Sequence, residues 1–351
     1  MDIFEFVRIV TNKLRLIILY FRRILFAKNN FKVPISKKLL ANLAGGFLAD
    51  QWVLYDLDLK KKKDYLSEFD WYKSRYINAP FDIVLNNKVI ATEVLKKYVK
   101  VPEIYVVKNR LDIFDYEGKK LSLDDVVEII KEKKNLFIKP YGKGKGVGVN
   151  HILYKDKDFY WDNEIICLDI LKQRMNTRKE WYLSETIYQN EYGNSLYNRT
   201  INTIRIITLR DPKTQKFKNA FAVQRIGTSK TIPVDNASRG GIVCRIDMKT
   251  GKLSEGRTLH SHDIYIKHPD SGLNFENTVV PEWNKIKDKI LNLSNKFPYF
   301  YFIAWDIVIT RDNEICIVEA NTSSGVNIIQ LWGGQRNGEL GEFYKYHHII
   351  K

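Results

Sequence analysis

Two carboxylates and an amide oxygen stand close together in "YFIAWDIVITRDNEICIVEANTSSG", residues 301–325. Tyr301 to Ile309 and Ile315 to Val318 are rich in β-branched and aromatic residues, a strand composition. Arg311-Asp312-Asn313-Glu314 reads as the turn between them. With Asp312-Asn313 as a two-residue loop, Arg311 faces Glu314 and Asp306 lies directly opposite Glu319. Opposed residues of an antiparallel pair share a face, with Cβ atoms roughly 4.5–5.5 Å apart. Asn321 joins that face by the period of two. Such acids repel one another unless a cation sits between them, and an all-oxygen donor set suits a hard ion, Mg²⁺ or Mn²⁺. A solvated polar face is the alternative, but the segment is too apolar for it. Asp306, Glu319 and Asn321 are therefore the metal-ligand candidates.

A second constellation is "KPYGKGKGVGV", with Lys139, Lys143 and Lys145 among Gly142, Gly144, Gly146 and Gly148. Glycine lets backbone N–H groups approach an anion closely, and the lysines supply countercharge for a polyphosphate. No Gly-Lys-[Ser/Thr] follows, and Val147 or Val149 falls where the last glycine of a dinucleotide fingerprint belongs. Both of those motifs also need a helix after the loop, whereas the flanks here read as strands. A mobile lid over a nucleotide's phosphates remains.

The elements that must position these groups are mixed. Residues 40–85 read as mainly helical. "NNKVIATEVLKKYVKVPEIYVV" (86–107) gives a helix closed by Pro102 and then a strand from Ile104. "LSLDDVVEIIKEK" is a helix with Ser122 as N-cap and acids in its first turn. "WYLSETIY", "TINTIRIITLR" and "NAFAVQRIG" read as sheet strands, and "PEWNKIKDKILNLSNKF" as an amphipathic helix before the hairpin. The order predicts an α+β fold rather than a regular βα alternation. It divides at 1–85, 86–183 and 184–351.

With 351 residues, 44% hydrophobic and 13% aromatic, the chain can bury a substantial core. Cys167, Cys244 and Cys316 are scattered and odd in number, which argues against a disulfide framework or zinc site and fits a reducing cytoplasm. The formal charge of +16 predicts anionic partners without choosing among them. Residues 1–40 contribute a net +7, with Arg8, Lys13, Arg15, Arg22 and Arg23 set among bulky apolar residues. Their longest apolar run, Leu16 to Phe21, is far short of a membrane span. A basic amphipathic helix on an anionic inner leaflet, through residues 1–30, stands beside the alternative of a helix packed on its own domain. His260, His262 and His268 read as surface histidines rather than a metal cluster, with His268 also a candidate for a substrate-pocket wall.

A strand lysine, a glycine-rich lid and a later Asp…Glu-x-Asn hairpin together resemble the ATP-grasp superfamily, in which two α+β subdomains clasp ATP. "TIRIITLR", "VDNASRGGI", "HPDSG", "VVPEW", "AWDIVI" and "VEANTSSG" are similar to its sugar-transfer-associated, TupA-like branch, related to the RimK-like ligases. The resemblance covers roughly residues 86–331. It implies that Lys88 and Lys139 bind phosphates and that Glu185, Thr186 and Ile187 form a hinge reading adenine, with Gln189 or Glu191 reaching the ribose. It places Asp306, Glu319 and Asn321 on metal. Where the superfamily usually has Asp-Lys, this chain has Asn87-Lys88. Arg205 and Arg225 are candidates to hold the transferred phosphate, and Arg239 to hold the acceptor carboxylate or the tetrahedral oxyanion. The implied activity is ATP- and Mg²⁺-dependent carboxylate–amine ligation through an acyl phosphate, on a glycan or small-molecule acid in cell-surface polysaccharide assembly. A kinase on the same scaffold and a non-catalytic basic binding protein are the alternatives. No nucleic-acid partner is expected.

Overall fold

Side-chain caps and apolar stripes set the helices. In the computed structural model, which describes residues 2–142 and 146–351, the N-terminal region holds α1 (Ile3–Tyr20), α2 (Ile35–Leu43), α3 (Ala49–Leu54), α4 (Glu68–Ser74), α5 (Asp82–Asn86) and α6 (Lys88–Leu95), with a π-helical turn over Phe21–Leu25 after α1. Ser67 caps α4 and Asn87 caps α6, each side-chain oxygen accepting N–H bonds from the first turn. Asn87 therefore fulfils the capping task that an aspartate there would also perform.

Eight strands follow: β1 (Ile104–Asn109), β2 (Asp112–Asp115), β3 (Lys120–Leu121), β4 (Asn135–Lys139), β5 (Asn150–Lys155), β6 (Asp158–Trp161), β7 (Glu164–Ile166) and β8 (Glu180–Glu185). They form one antiparallel sheet in the order β3-β2-β1-β8-β4-β5-β6-β7. Helices α7 (Leu123–Lys133) and α8 (Leu168–Asn176) cover it, burying Val126, Val127, Ile130, Leu171 and Met175 against Val106, Leu136, Ile138 and Leu183. Ser122 caps α7 as expected, and Asp125 bonds back to it.

After α9 (Glu191–Leu196), the second sheet comprises β9 (Ile204–Arg210), β10 (Phe217–Ile226), β11 (Ile242–Ile246), β12 (Leu253–Arg257), β13 (Phe302–Ile309) and β14 (Ile315–Asn321), in the order β12-β11-β10-β9-β13-β14. One face carries Ile206, Ile303, Trp305 and Ile307 and packs on α10 (Trp283–Asn295) and on Leu85 and Leu95. On the other face, α11 (Glu339–Tyr346) covers Ile207, Leu209, Phe302 and Ala304, and Phe47, Trp52 and Tyr55 of the N-terminal region cover Val223 and Val243. Because both faces are covered, every residue of β13 is buried and its sequence lacks alternation.

Three expectations change. The division at 183/184 falls inside β8, which pairs with β1 and β4 of the first sheet. Helix α6 packs on the core of the second sheet, so the segment from 86 does not belong wholly with the first. The β13–β14 turn is longer than two residues: the Thr310 N–H donates to the Glu314 carbonyl at 2.9 Å, the Asn313 N–H donates to the Thr310 carbonyl at 2.7 Å, and Asn313 sits at φ 59°. Ile309 therefore faces Ile315, and Arg311 does not face Glu314. A bulge at Val318 then restores the register, so that Asp306 does face Glu319. Two one-residue errors of the simple count cancel.

Trp305 is fully buried, and its indole N–H reaches the hydroxyls of Thr208 at 3.2 Å and Ser294 at 3.0 Å. Trp305→Ala should destabilise the protein by about 3–5 kcal/mol, read as a lowered midpoint in denaturant unfolding.

Candidate active site

The site grows from one rung of the second sheet. Arg205 on β9 lies opposite Asp306 on β13, which lies opposite Glu319 on β14. Arg225, near the end of β10, reaches the same rung. Arg205 grips Asp306 with both edges of its fork, Nε to Oδ1 at 2.7 Å and Nη2 to Oδ2 at 2.6 Å. Arg225 donates Nη1 to Asp306 Oδ2 at 2.9 Å and Nη2 to Asp235 Oδ1 at 2.8 Å. Asp235 also accepts from the backbone N–H of Thr203 at 2.8 Å. The result is a buried, charge-balanced chain of two arginines and two aspartates. Burial by itself would raise the Asp306 pKa, but the two guanidiniums outweigh it and hold the carboxyl below the usual carboxylate range. The expectation that only an added cation could relieve the acid pair is corrected: the arginines neutralise Asp306 before any ion arrives.

Glu319 is tied to a different cation, Lys88 Nζ at 3.2 Å, at the start of α6. Lys139, at the end of β4, completes the group from the first sheet and lies in the same cavity wall. Among the described residues it has no carboxylate at ion-pair distance. Desolvation first, and then the charge of Lys88, depress its pKa to about 8. The ammonium is thus held in a place that favours an arriving anion.

These side chains line a cavity of about 830 Å³ between the sheets. Phe137, Ile187, Ile201 and Val318 form an apolar patch in it, and the bulge lets consecutive residues Val318 and Glu319 line the same space. Gly142 and Gly146 of the β4–β5 loop border it, as do Ser324 and Asn327 beyond β14. Gly146 has φ +65°, and a Cβ there would come within 3.2 Å of Val234, so this glycine lets the loop close against residues 233–238. Lys143, Gly144 and Lys145, expected to grip phosphates, lie outside the described residues.

Not every candidate converges. Glu185 and Ile187 line the cavity, and Glu185 Oε1 accepts the Glu103 N–H at 2.9 Å. Thr186 is not in the lining and donates to Asn135 Oδ1. Gln189 does not reach the cavity: its buried amide donates to the carbonyls of Tyr197 and Thr200 and accepts from Asn202 N–H, stitching one loop together. Glu191 is exposed in the first turn of α9 and also stands apart. Arg239 is exposed outside the lining, its Nη2 3.4 Å from the Gly146 carbonyl, so it touches the loop rather than the arginine–aspartate rung. His268 is buried, not on the surface. Its Nε2 meets the Gly227 carbonyl at 2.8 Å, and its Nδ1 accepts from Asp270 and Ser271 N–H. Burial lowers its pKa. His260 lines the cavity and His262 is exposed.

Several lining residues had no signal in the sequence. Lys28, Asn30, Asp50, Gln51, Glu68 and Arg75 come from the N-terminal region and line the same cavity as the rung. Gln51 Nε2 and Asn327 Oδ1 meet at 2.6 Å, joining that wall to the loop after β14. Asp235 stands in a segment that the sequence already marked, "VDNASRGG", and only its pairing with Arg225 distinguishes it.

The donor chemistry fits both groups that the superfamily implies. Two lysines and a glycine-bordered loop beside an apolar patch suit a nucleotide polyphosphate. Among the described residues no cluster of three or more His, Cys, Asp or Glu could hold a metal by itself. Two carboxylates and Asn321 need oxygens from the ligand to complete a shell, which is how Mg²⁺ is commonly held.

Asp306→Asn should leave two buried guanidiniums undercompensated and destabilise the fold by about 3–5 kcal/mol. Glu319→Gln, in a partly exposed pair, should change stability by less than about 1 kcal/mol; denaturant titration of both compares them directly. The Lys139 shift has a defined sign. Its desolvation opposes folding below pH about 8 and is relieved as pH rises from there towards 10.5, because the unfolded chain then holds the extra proton. An arriving polyphosphate should pull the pKa back up, so nucleotide binding just above pH 8 should take up a proton. Calorimetry in buffers of different ionisation heat measures that uptake, and Lys139→Met should remove it.

No curated protein matches the sequence. Solved structures with a similar course include D-alanyl-alanine synthetase A from Vibrio cholerae (11% identity, 76% of this chain and 66% of that one, TM-score 0.44). They also include the VanG D-Ala:D-Ser ligase from Enterococcus faecalis (16%, 74% and 61%, TM-score 0.42). A third is the N5-carboxyaminoimidazole ribonucleotide synthetase from Thermotoga maritima (13%, 68% and 42%, TM-score 0.36). The match takes in less than half of that last chain and about three fifths of the VanG chain. The sequence profile of the family described as sugar-transfer associated ATP-grasp matches residues 69–338. That span takes in Lys88, Lys139, the arginine–aspartate rung and the hairpin, and the chain belongs to the sugar-transfer associated ATP-grasp family.

Proposed function

We propose that the protein is an ATP-dependent carboxylate–amine ligase, acting on a sugar acid or similar carboxylate in cell-surface polysaccharide assembly. The observation that carries this is the convergence of Lys88, Lys139, Glu319 and Asp306 on one wall of a cavity with an apolar patch beside it. Lys139 and Lys88 bind and orient the polyphosphate, with Gly142 and Gly146 bordering the same cavity. Phe137, Ile187 and Ile201 offer an apolar bed for the base. Divalent cations, when bound by Asp306, Glu319 and Asn321, would supply charge neutralisation at the phosphate oxygens. Arg205 and Arg225 keep Asp306 ionised and fix its orientation.

In the reaction, an acceptor carboxylate oxygen forms a bond to the γ-phosphorus as ADP leaves. An amine nitrogen then bonds to the acyl carbon, phosphate departs, and the amine gives up a proton. Gln51, Glu68 and Asn327 give the same cavity polar groups able to hydrogen-bond an acceptor and a donor. The family's sugar-transfer association supports a saccharide acid as acceptor.

Purified protein given ATP, Mg²⁺, uronic-acid sugars and mixed amino acids should yield a product whose mass equals acid plus amine minus water, with ADP and phosphate released in step. Glu319→Gln should lower turnover at least a hundred-fold, the loss expected when a group that stabilises the transferring phosphoryl is removed. A phosphorylated sugar formed without any amine would instead assign a kinase. Near-normal turnover in Glu319→Gln would remove the assignment of that carboxylate.

A further inference from the structure

The N-terminal helix is apolar on two sides. Its inner side is used: the Tyr20 hydroxyl donates to the Asn42 carbonyl at 2.9 Å, the Tyr20 ring meets Phe69 edge-on at 5.1 Å, and the Arg15 guanidinium lies 3.6 Å from the centre of the Tyr76 ring. Ile24, in the π-helical turn, is fully buried. The outer side presents Ile3, Val7, Val10, Leu14, Ile17 and Phe21 to solvent, at alternating spacings of four and three. That is a continuous stripe along about 27 Å of helix at 1.5 Å per residue. Nearby, α2 exposes a second stripe, Ile35, Leu39 and Leu43, of which Ile35 and Leu43 are more than three-quarters exposed. Single exposed apolar residues need no explanation, but two stripes on neighbouring helices mark a binding surface.

Charge decides what fits. Residues 1–40 carry nine basic and two acidic side chains, and Lys13, Arg22, Arg23, Lys32 and Lys37 are exposed around the stripes. A second copy would bring a net +7 against a net +7, the like-charge arrangement that opposes pairing. An anionic surface would be attracted. Among the described residues no helix is long and apolar enough to cross a membrane, so the mode is interfacial rather than spanning.

We infer that α1, the turn after it and α2 dock the protein on an anionic lipid leaflet. The same segment lines the cavity through Lys28 and Asn30, so docking brings the leaflet near that cavity. The inference does not depend on the ligase reading, because it uses only the surface of residues 3–43.

The test is co-sedimentation of the full chain with phosphatidylglycerol-containing vesicles and with pure phosphatidylcholine vesicles, alongside light scattering without lipid. Binding should favour the anionic vesicles and weaken as salt rises. Arg22→Gln with Arg23→Gln should weaken it about thirty-fold, the effect of two basic residues at about 1 kcal/mol each. Leu14→Glu with Ile17→Glu should abolish it while circular dichroism and nucleotide affinity stay unchanged. Equal binding to both vesicle types, or none, overturns the inference. So does a dimer in the absence of lipid that Leu14→Glu with Ile17→Glu converts to monomer while vesicles are ignored.

Discussion

Two buried guanidiniums can be held in a sheet only if their charges are met at hydrogen-bond distance, and Arg205 and Arg225 meet theirs on Asp306 and Asp235. An incomplete version of such a cluster strongly destabilises a fold, whereas the complete one permits it. The geometry follows from strand pairing. Arg205 and Asp306 are partners across β9 and β13, so the same backbone bonds that build the sheet also build the ion cluster. Once Asp306 is fixed, the bulged β14 must bring Glu319 beside it, and Glu319 in turn positions Lys88 at the mouth of α6.

This arrangement separates two electrostatic tasks. The arginine–aspartate chain is closed on itself and holds its shape. Lys139, by contrast, sits in the cavity wall with a depressed pKa, and its ammonium gains from any anion brought near it. The cavity thus has a neutral floor and a responsive cation beside it, with the glycine-bordered loop able to approach because Gly146 occupies a left-handed conformation against Val234.

The N-terminal region serves the cavity and the outer surface at once. Phe47, Trp52 and Tyr55 fasten it to Val223 and Val243 of the second sheet, and Gln51 and Glu68 line the cavity. Its first two helices spend only part of their apolar surface in this attachment. The remainder stays exposed and is ringed by basic residues.

Much of this was legible in the residues themselves. Strand composition, the capping signal at Ser122 and the opposition of Asp306 to Glu319 all depend on short-range spacing, which a sequence carries directly. The hairpin shows the limit: Asp306 came to face Glu319 as expected although the turn is longer than assumed, because the bulge at Val318 offsets the extra residue. Local pattern could not say what each polar side chain would face. Gln189 and His268 turned inward because nearby carbonyls and N–H groups satisfy them there. Arg225 found Asp235, and the wall of Gln51 and Glu68 came from a region with no motif. Sequence alone thus determined the strands, caps and chemical kinds of the site, since these follow from neighbours along the chain. Only the tertiary structure decided which charges were already paired and which helix faces stayed bare, because both depend on groups that meet from distant parts of the chain.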